Sequence, residues 1–335
     1  MTSLFKLQWQ NFDLKAGIKV SSGLVIMLLL TQLTGESWLA TTLAAMCAWL
    51  ANVPGPLLNR IGGMLVFGVG AIAFTLLSGL IGLDVWPNVI AITLVGLLCT
   101  LGLAGGLRSF MVGWSLICWA IYGPFLVTST STENCVVAVI AGTAIVILLN
   151  IVGEWIWGKN DPMPHTTDES DDSAPMMPFS QVAAYAVTVA LILGFTTYYG
   201  WVELKTDPTM MAGGAFFVLG FDPYKTWAAG ISRVLGLVAG VALGLGLTEL
   251  FGPGLVSDVI MVAACGLSFA AFAVHPGAWM FFFMVFIAMG WPELESSVYE
   301  LTVAERFYGE IVGVAAAMIG ISFLLWWQNF RSKKD

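Results

Sequence analysis

Charge is scarce in this sequence. Only 10% of its 335 residues are charged, while 58% are hydrophobic, against about 25% charged in an ordinary soluble domain. With a mean hydropathy of +0.88, a polytopic membrane protein is the class that fits. One soluble core in a chain this short could not bury so much apolar surface.

Histidine is scarcer still, with two residues, His165 and His275. No HExxH occurs and no Ser-His-Asp set converges, so an enzyme is not expected. His275 precedes Pro276 and reads as a turn residue, with pH sensing as the alternative. The absence of GxxxxGK[ST] excludes ATP hydrolysis by this chain. The five cysteines, Cys47, Cys99, Cys118, Cys135 and Cys265, have no CxxC or metal-ligand spacing. That excludes a disulfide or zinc framework and leaves small packing residues. No metal, cofactor or nucleic-acid partner is expected. The N-terminal MTSLFKLQWQNFDLK lacks the basic start, short apolar core and A-x-A site of a signal peptide, so the first apolar segment is expected to be retained.

What the chain has is long apolar runs, interrupted once by GKNDPMPHTTDESDDSAPMMP, residues 158–178. Asp161, Asp168, Glu169, Asp171 and Asp172 meet a single base there, Lys159, so the stretch reads as an acidic cytoplasmic linker. It separates two repeats, 1–157 and 179–335. The first repeat divides into apolar segments 16–33, 38–53, 57–81, 87–104, 108–127 and 134–157. The second divides into 179–201, 209–221, 226–251, 255–274, 277–291 and 302–327. All should be helices, because lipid tolerates no unpaired backbone. The expected fold is an all-α polytopic membrane protein of about twelve transmembrane helices.

The two halves resemble each other. NRIGG (59–63) answers SRVLG (232–236), VIAITLVGL (89–97) answers VIMVAACGL (259–267), and YGP (122–124) answers GWP (290–292). An even number of crossings per half makes this the parallel kind of repeat. With both termini cytoplasmic, eleven of the thirteen Lys and Arg residues fall inside and only Lys205 and Arg306 fall outside, a positive-inside pattern.

Segments 38–53, 209–221, 277–291, and 108–127 if broken at Tyr122-Gly123-Pro124, are short for a crossing. Short or proline-interrupted spans at matching positions point to a transporter's binding site. Tilted or locally thinned crossings are the other reading. The third segment of each half carries an arginine near its start, Arg60 and Arg233, with proline upstream. A helix N-terminus with an arginine attracts anions, so both are candidate substrate-binding residues. Snorkelling to lipid phosphate is the plainer alternative.

The last segment opens AERFYGEIVG (304–313). Arg306 and Glu310 are four apart and share a helix face. Glu310 lies about 9 Å into the span at 1.5 Å per residue, where a bare carboxylate is costly. It is either a structural ion pair with Arg306 or a protonatable carboxylate facing a cavity. A contact with Arg60 or Arg233 would need water reaching in from both leaflets, and ranks below these two.

RIGG (60–63), RVLG (233–236) and ERFYGEIVGVAAA (305–317) resemble motifs of the fusaric acid resistance protein-like, or aromatic acid exporter, superfamily. The pattern Arg-x-x-x-Glu-x-x-Gly falls on Arg306, Glu310 and Gly313. It is missing from ENCVVAVIAG (133–142) in the first half, so a shared site would be asymmetric. The resemblance implies a bacterial inner-membrane secondary exporter of aromatic or amphipathic organic acids, with proton coupling as a further expectation. It implies membrane lipid, an organic anion and a periplasmic adaptor protein as partners, and a homo-oligomer is a further possibility. A passive anion channel of the same fold, or a non-transporting subunit of an envelope efflux complex, are the alternatives.

Overall fold

The computed structural model describes residues 12–34, 38–53, 55–158, 178–204, 209–219, 223–252, 255–270 and 303–331. All regular elements among them are helices: α1 (Leu14–Thr34), α2 (Trp38–Leu50), α3 (Leu57–Ile81), α4 (Val85–Leu101), α5 (Leu107–Ser129), α6 (Thr132–Trp157), α7 (Phe179–Glu203), α8 (Thr209–Val218), α9 (Thr226–Phe251), α10 (Leu255–Ala270) and α11 (Val303–Arg331). Seven helices among the described residues are long and apolar enough to cross a membrane. The acidic linker, His165, His275 and the segment 277–291 lie outside the described residues.

Outward faces are apolar. On α4, Trp86, Ile90, Leu94 and Leu98 form an exposed stripe at a spacing of four, the face a helix presents to lipid rather than water. Inside, α5 is the central helix, with Ile117, Cys118, Trp119, Ala120 and Ile121 all 2% exposed or less. Trp119 Nε1 donates to Thr75 Oγ1 of α3 at 3.0 Å, which satisfies an indole N–H that lipid could not.

The expected break at Tyr122-Gly123-Pro124 does not occur. Helix α5 runs unbroken through Pro124. Proline removes one backbone bond, but neighbouring helices can re-satisfy the freed group inside a membrane bundle, and ending the helix there would strand more. The turn into α5 comes earlier, at Gly106, whose φ of 88° needs a residue without Cβ.

Two crossings set the arrangement of the bundle. The first is α2 on α6 and α8 on α11. A Cβ on Gly142 would fall on Thr41 O and Ala45 N, and one on Gly313 would fall on Met211 O and Ala215 N. The contacts are the same atoms in the two halves, displaced by 170 or 171 residues (41 to 211, 45 to 215, 142 to 313). The second is α4 on α7 and α1 on α10, so that the first helix of each half packs on the fourth of the other. Gly96 and Gly266, aligned by the repeated VIAITLVGL and VIMVAACGL, are the points of close approach. A Cβ on Gly96 would lie 3.0 Å from Leu193 Cδ1, and one on Gly266 would lie 2.7 Å from Ser21 Cβ. Small residues let helix backbones approach where no hydrophobic force drives association.

Helices α2 and α8 are short, 13 and 10 residues, about 20 and 15 Å at 1.5 Å per residue. Every described side chain of α8 except Phe217 is buried. A helix too short to cross is tolerated because protein, not lipid, surrounds its ends.

Candidate functional site

Arg60 and Arg233 are both buried, 4% and 2% exposed, so neither reaches out to lipid phosphate. Their surroundings differ. Arg60 sits on the first turn of α3, behind Pro56. It donates from Nε to Asn52 Oδ1 at 3.1 Å and from Nη2 to Asn150 Oδ1. Asn52 Nδ2 donates to the same Asn150 oxygen at 3.1 Å, and Asn150 Nδ2 donates to Val146 O at 2.9 Å. Both asparagines are fully buried. The network ties the turn after α2 to α6. Beside it, Lys19 of α1 lies over the Trp157 ring at 5.3 Å, within electrostatic range of Arg60 and Glu154.

Arg233 meets a carboxylate instead. It donates from Nε to Glu310 Oε2 at 2.8 Å and from Nη2 to the same oxygen. An arginine fork commonly matches its two N–H groups to two carboxylate oxygens. Here both converge on Oε2, and the buried Oε1 has no hydrogen-bond partner among the described residues. Glu310 is 1% exposed and is the one buried carboxylate among the described residues. The Phe217 ring lies 4.7 Å from the Arg233 guanidinium carbon. From Phe217 an aromatic series continues through Phe216 to Trp114, stacked at 4.2 Å, and to Phe110 at 5.0 Å.

Geometry explains how residues near opposite ends of two helices meet. Helices α9 and α11 are antiparallel: Trp227 Nε1 donates to Ser322 Oγ at 2.8 Å, and a Cβ on Gly230 would meet Met318 Sδ at 2.7 Å. From the level of Trp227 and Ser322, Arg233 is about 9 Å up α9 and Glu310 about 18 Å along α11, at 1.5 Å per residue. The remaining gap of about 9 Å is within the combined reach of the two side chains. The contact with Arg233, which ranks lowest on sequence depth, does form. The side chain of Arg306 lies outside the described residues, so its pairing with Glu310 stays an expectation.

Glu310 is held from behind as well. A Cβ on Gly214 would lie 2.6 Å from Glu310 O and 3.0 Å from Glu310 Cα. A Cβ on Gly309 would lie 2.9 Å from Met210 Cβ. The glycines of GEIVG thus let α8 press on the backbone that carries the carboxylate. The amides Asn52 and Asn150 went unnoticed in the sequence. The signal for them was an asparagine inside an apolar segment, where polar groups bond across helices.

Long apolar helices with a lipid-facing exterior and buried charges within define a multi-pass helical membrane protein. Residues 182–320 match the family model described as fusaric acid resistance protein-like, which bears out the resemblance carried by ERFYGEIVG and points to a membrane transporter, exporter-like role. The matched stretch contains Arg233, Glu310, Gly214 and Phe217. No curated protein and no solved structure matches the chain.

Proposed function

We propose that the protein is a secondary exporter of aromatic or amphipathic organic acids in a bacterial inner membrane, with about twelve crossings in two parallel repeats and both termini in the cytoplasm. Arg233 is the anion-binding residue of the second repeat, and Glu310 is its exchangeable internal partner. Arg60, locked into the amide network, lines the cytoplasmic mouth of the first repeat. The short helices α2 and α8 flank the path, and the aromatic series from Phe217 to Phe110 suits a ring-bearing acid. A periplasmic adaptor is the natural receiver of the exported anion.

The observation that carries this reading is the buried Arg233–Glu310 pair, with one carboxylate oxygen lacking a donor among the described residues. Intramembrane ionisable pairs are costly and mark ion or substrate pathways. In the first repeat Arg60 donates to the amide oxygens of Asn52 and Asn150, so a glutamine amide at position 310 is a reasonable acceptor for Arg233, and Glu310→Gln is expected to fold. In proteoliposomes carrying radiolabelled benzenesulfonate, Glu310→Gln is expected to abolish proton-linked transport, and Arg233→Met to abolish transport itself. Equal transport by wild type and Glu310→Gln at several pH gradients would remove Glu310 from the coupling. Unitary currents without gradient coupling would make the protein a channel.

A further inference from the structure

The fold brings together two reactive side chains that the proposed transport does not use. Cys47 of α2 and Cys118 of α5 are 0% and 2% exposed, and their thiols are in hydrogen-bonding contact. Both backbones are held at this level. Helix α2 packs on both α6 and α5, and it presses on α6 where a Cβ on Gly142 would meet Thr41 O and Ala45 N. Cys47 follows Ala45 by two residues, about 200° round the helix at 3.6 residues per turn, so it faces away from α6. On α5 the residue after Cys118 is Trp119, which is tied to Thr75 of α3. The two thiols thus project toward each other from backbones that their neighbours hold in place. Cys135, by contrast, has Thr130 Oγ1 beside its sulfur, at 3.2 Å.

We propose that Cys47 and Cys118 form a dithiol site for trivalent arsenicals, closed across α2 and α5. The site goes beyond the exporter reading and does not depend on it. Its surroundings select the chemistry. The flanking residues Met46, Ala48, Ile117 and Trp119 are all buried and apolar, and among the described residues the titratable group acting on Cys47 is Cys118. Alkylation and disulfide exchange proceed through a thiolate, and an isolated charge in such a core is costly. Mercuric and cuprous ions need thiolates as ligands too. A trivalent arsenical leaves no charge behind. The As–O double bond of an arsenoxide and two S–H bonds break, two As–S bonds form, and one water leaves. Arsenic and sulfur keep their oxidation states, so no oxidant takes part. The product is neutral, as the apolar core requires. A single thiol gives an open adduct that other thiols displace, whereas two thiols already side by side close a ring at high effective concentration.

The test uses the whole protein in detergent micelles with phenylarsine oxide, an apolar arsenoxide that can enter the bundle. Intact-protein mass spectrometry counts the adducts. The expected result is one phenylarsenic group per chain that withstands excess mercaptoethanol, a monothiol, and is stripped by the dithiol dimercaptopropanol. It should also raise the unfolding midpoint, because the ring ties α2 to α5 and forms only on the folded chain. Cys47→Ala and Cys118→Ala should each lose the monothiol-resistant adduct and the rise in midpoint. A variant with Cys99→Ala, Cys135→Ala and Cys265→Ala together should keep both. Midpoints without reagent report whether each variant folds, and digestion of the wild-type adduct gives a check free of mutation: a bridged pair of peptides carrying Cys47 and Cys118. Absence of a monothiol-resistant adduct on wild type, its survival after loss of either thiol, or a bridge mapped to other cysteines overturns the proposal. None of these outcomes touches the exporter reading.

Discussion

Arg60 and Asn150 make in the first half the kind of contact that Arg233 and Glu310 make in the second, with an amide in place of the carboxylate. The two halves therefore solve the same problem, a guanidinium buried among apolar helices, in two chemically different ways. One network includes two neutral amide acceptors for the guanidinium and leaves Asn52 and Asn150 bonded on both amide atoms or tied to the backbone. The other leaves a carboxylate oxygen without a donor among the described residues.

The ion pair should behave as a coupled unit. Removing one member of a buried pair leaves an uncompensated charge and costs about 3–5 kcal/mol. Arg233→Met and Glu310→Met are each expected to lower stability by an amount of that order. The double variant should recover most of it, because two apolar side chains leave no orphaned charge. Thermal unfolding of the four proteins in one detergent closes the cycle, and additive losses would mean that the pair is not coupled.

Asn150 should tolerate charge better than loss of polarity. Asn150→Leu removes the acceptor of Arg60 Nη2 and Asn52 Nδ2 together, which costs about 1–3 kcal/mol for each group left buried and unbonded. Asn150→Asp keeps an acceptor at the same place and adds a counter-charge to Arg60. The aspartate variant is expected to unfold within a few degrees of wild type and the leucine variant well below it, read by differential scanning fluorimetry.

Close approach at glycine gives a third contrast. A Cβ on Gly313 would collide with backbone atoms of α8, which cannot rotate away, whereas around Gly246 of α9 nothing lies within 4 Å. Gly313→Ala is expected to destabilise by about 1–3 kcal/mol through overpacking. Gly246→Ala should be neutral or stabilising by up to about 1 kcal/mol, since alanine is the better helix former. Unfolding midpoints of the purified variants decide it, and equal midpoints would refute the backbone contact.

Much of this architecture is written in apolar run length. The bounds 57–81 and 226–251 read from hydropathy coincide with α3 and α9, because a helix in lipid extends as far as its side chains stay apolar. Tyr122-Gly123-Pro124 misled for a related reason: those residues end helices in water, where the freed carbonyl finds solvent, but not in a bundle core where the helix has nowhere to end. The Arg233–Glu310 contact was hidden because sequence position measures depth along one helix. It says nothing about which helices pack against each other, or about the reach of an arginine. Asn52 and Asn150 were hidden because uncharged amides do not stand out by composition. What Arg306 does beside Glu310 lies outside the described residues.

The exchange of first helices between the halves has a bearing on how the chain is made. Helix α4 finds its mate α7 only after the acidic linker has left the ribosome, and α1 waits for α10, which emerges when three quarters of the protein has been synthesised. Until then the glycine face around Gly17 has only lipid beside it. Assembly is thus finished from the far end of the message, and a transcript cut short after α9 yields a protein whose earliest helix lacks its main partner and keeps only its smaller contacts with α2 and α6.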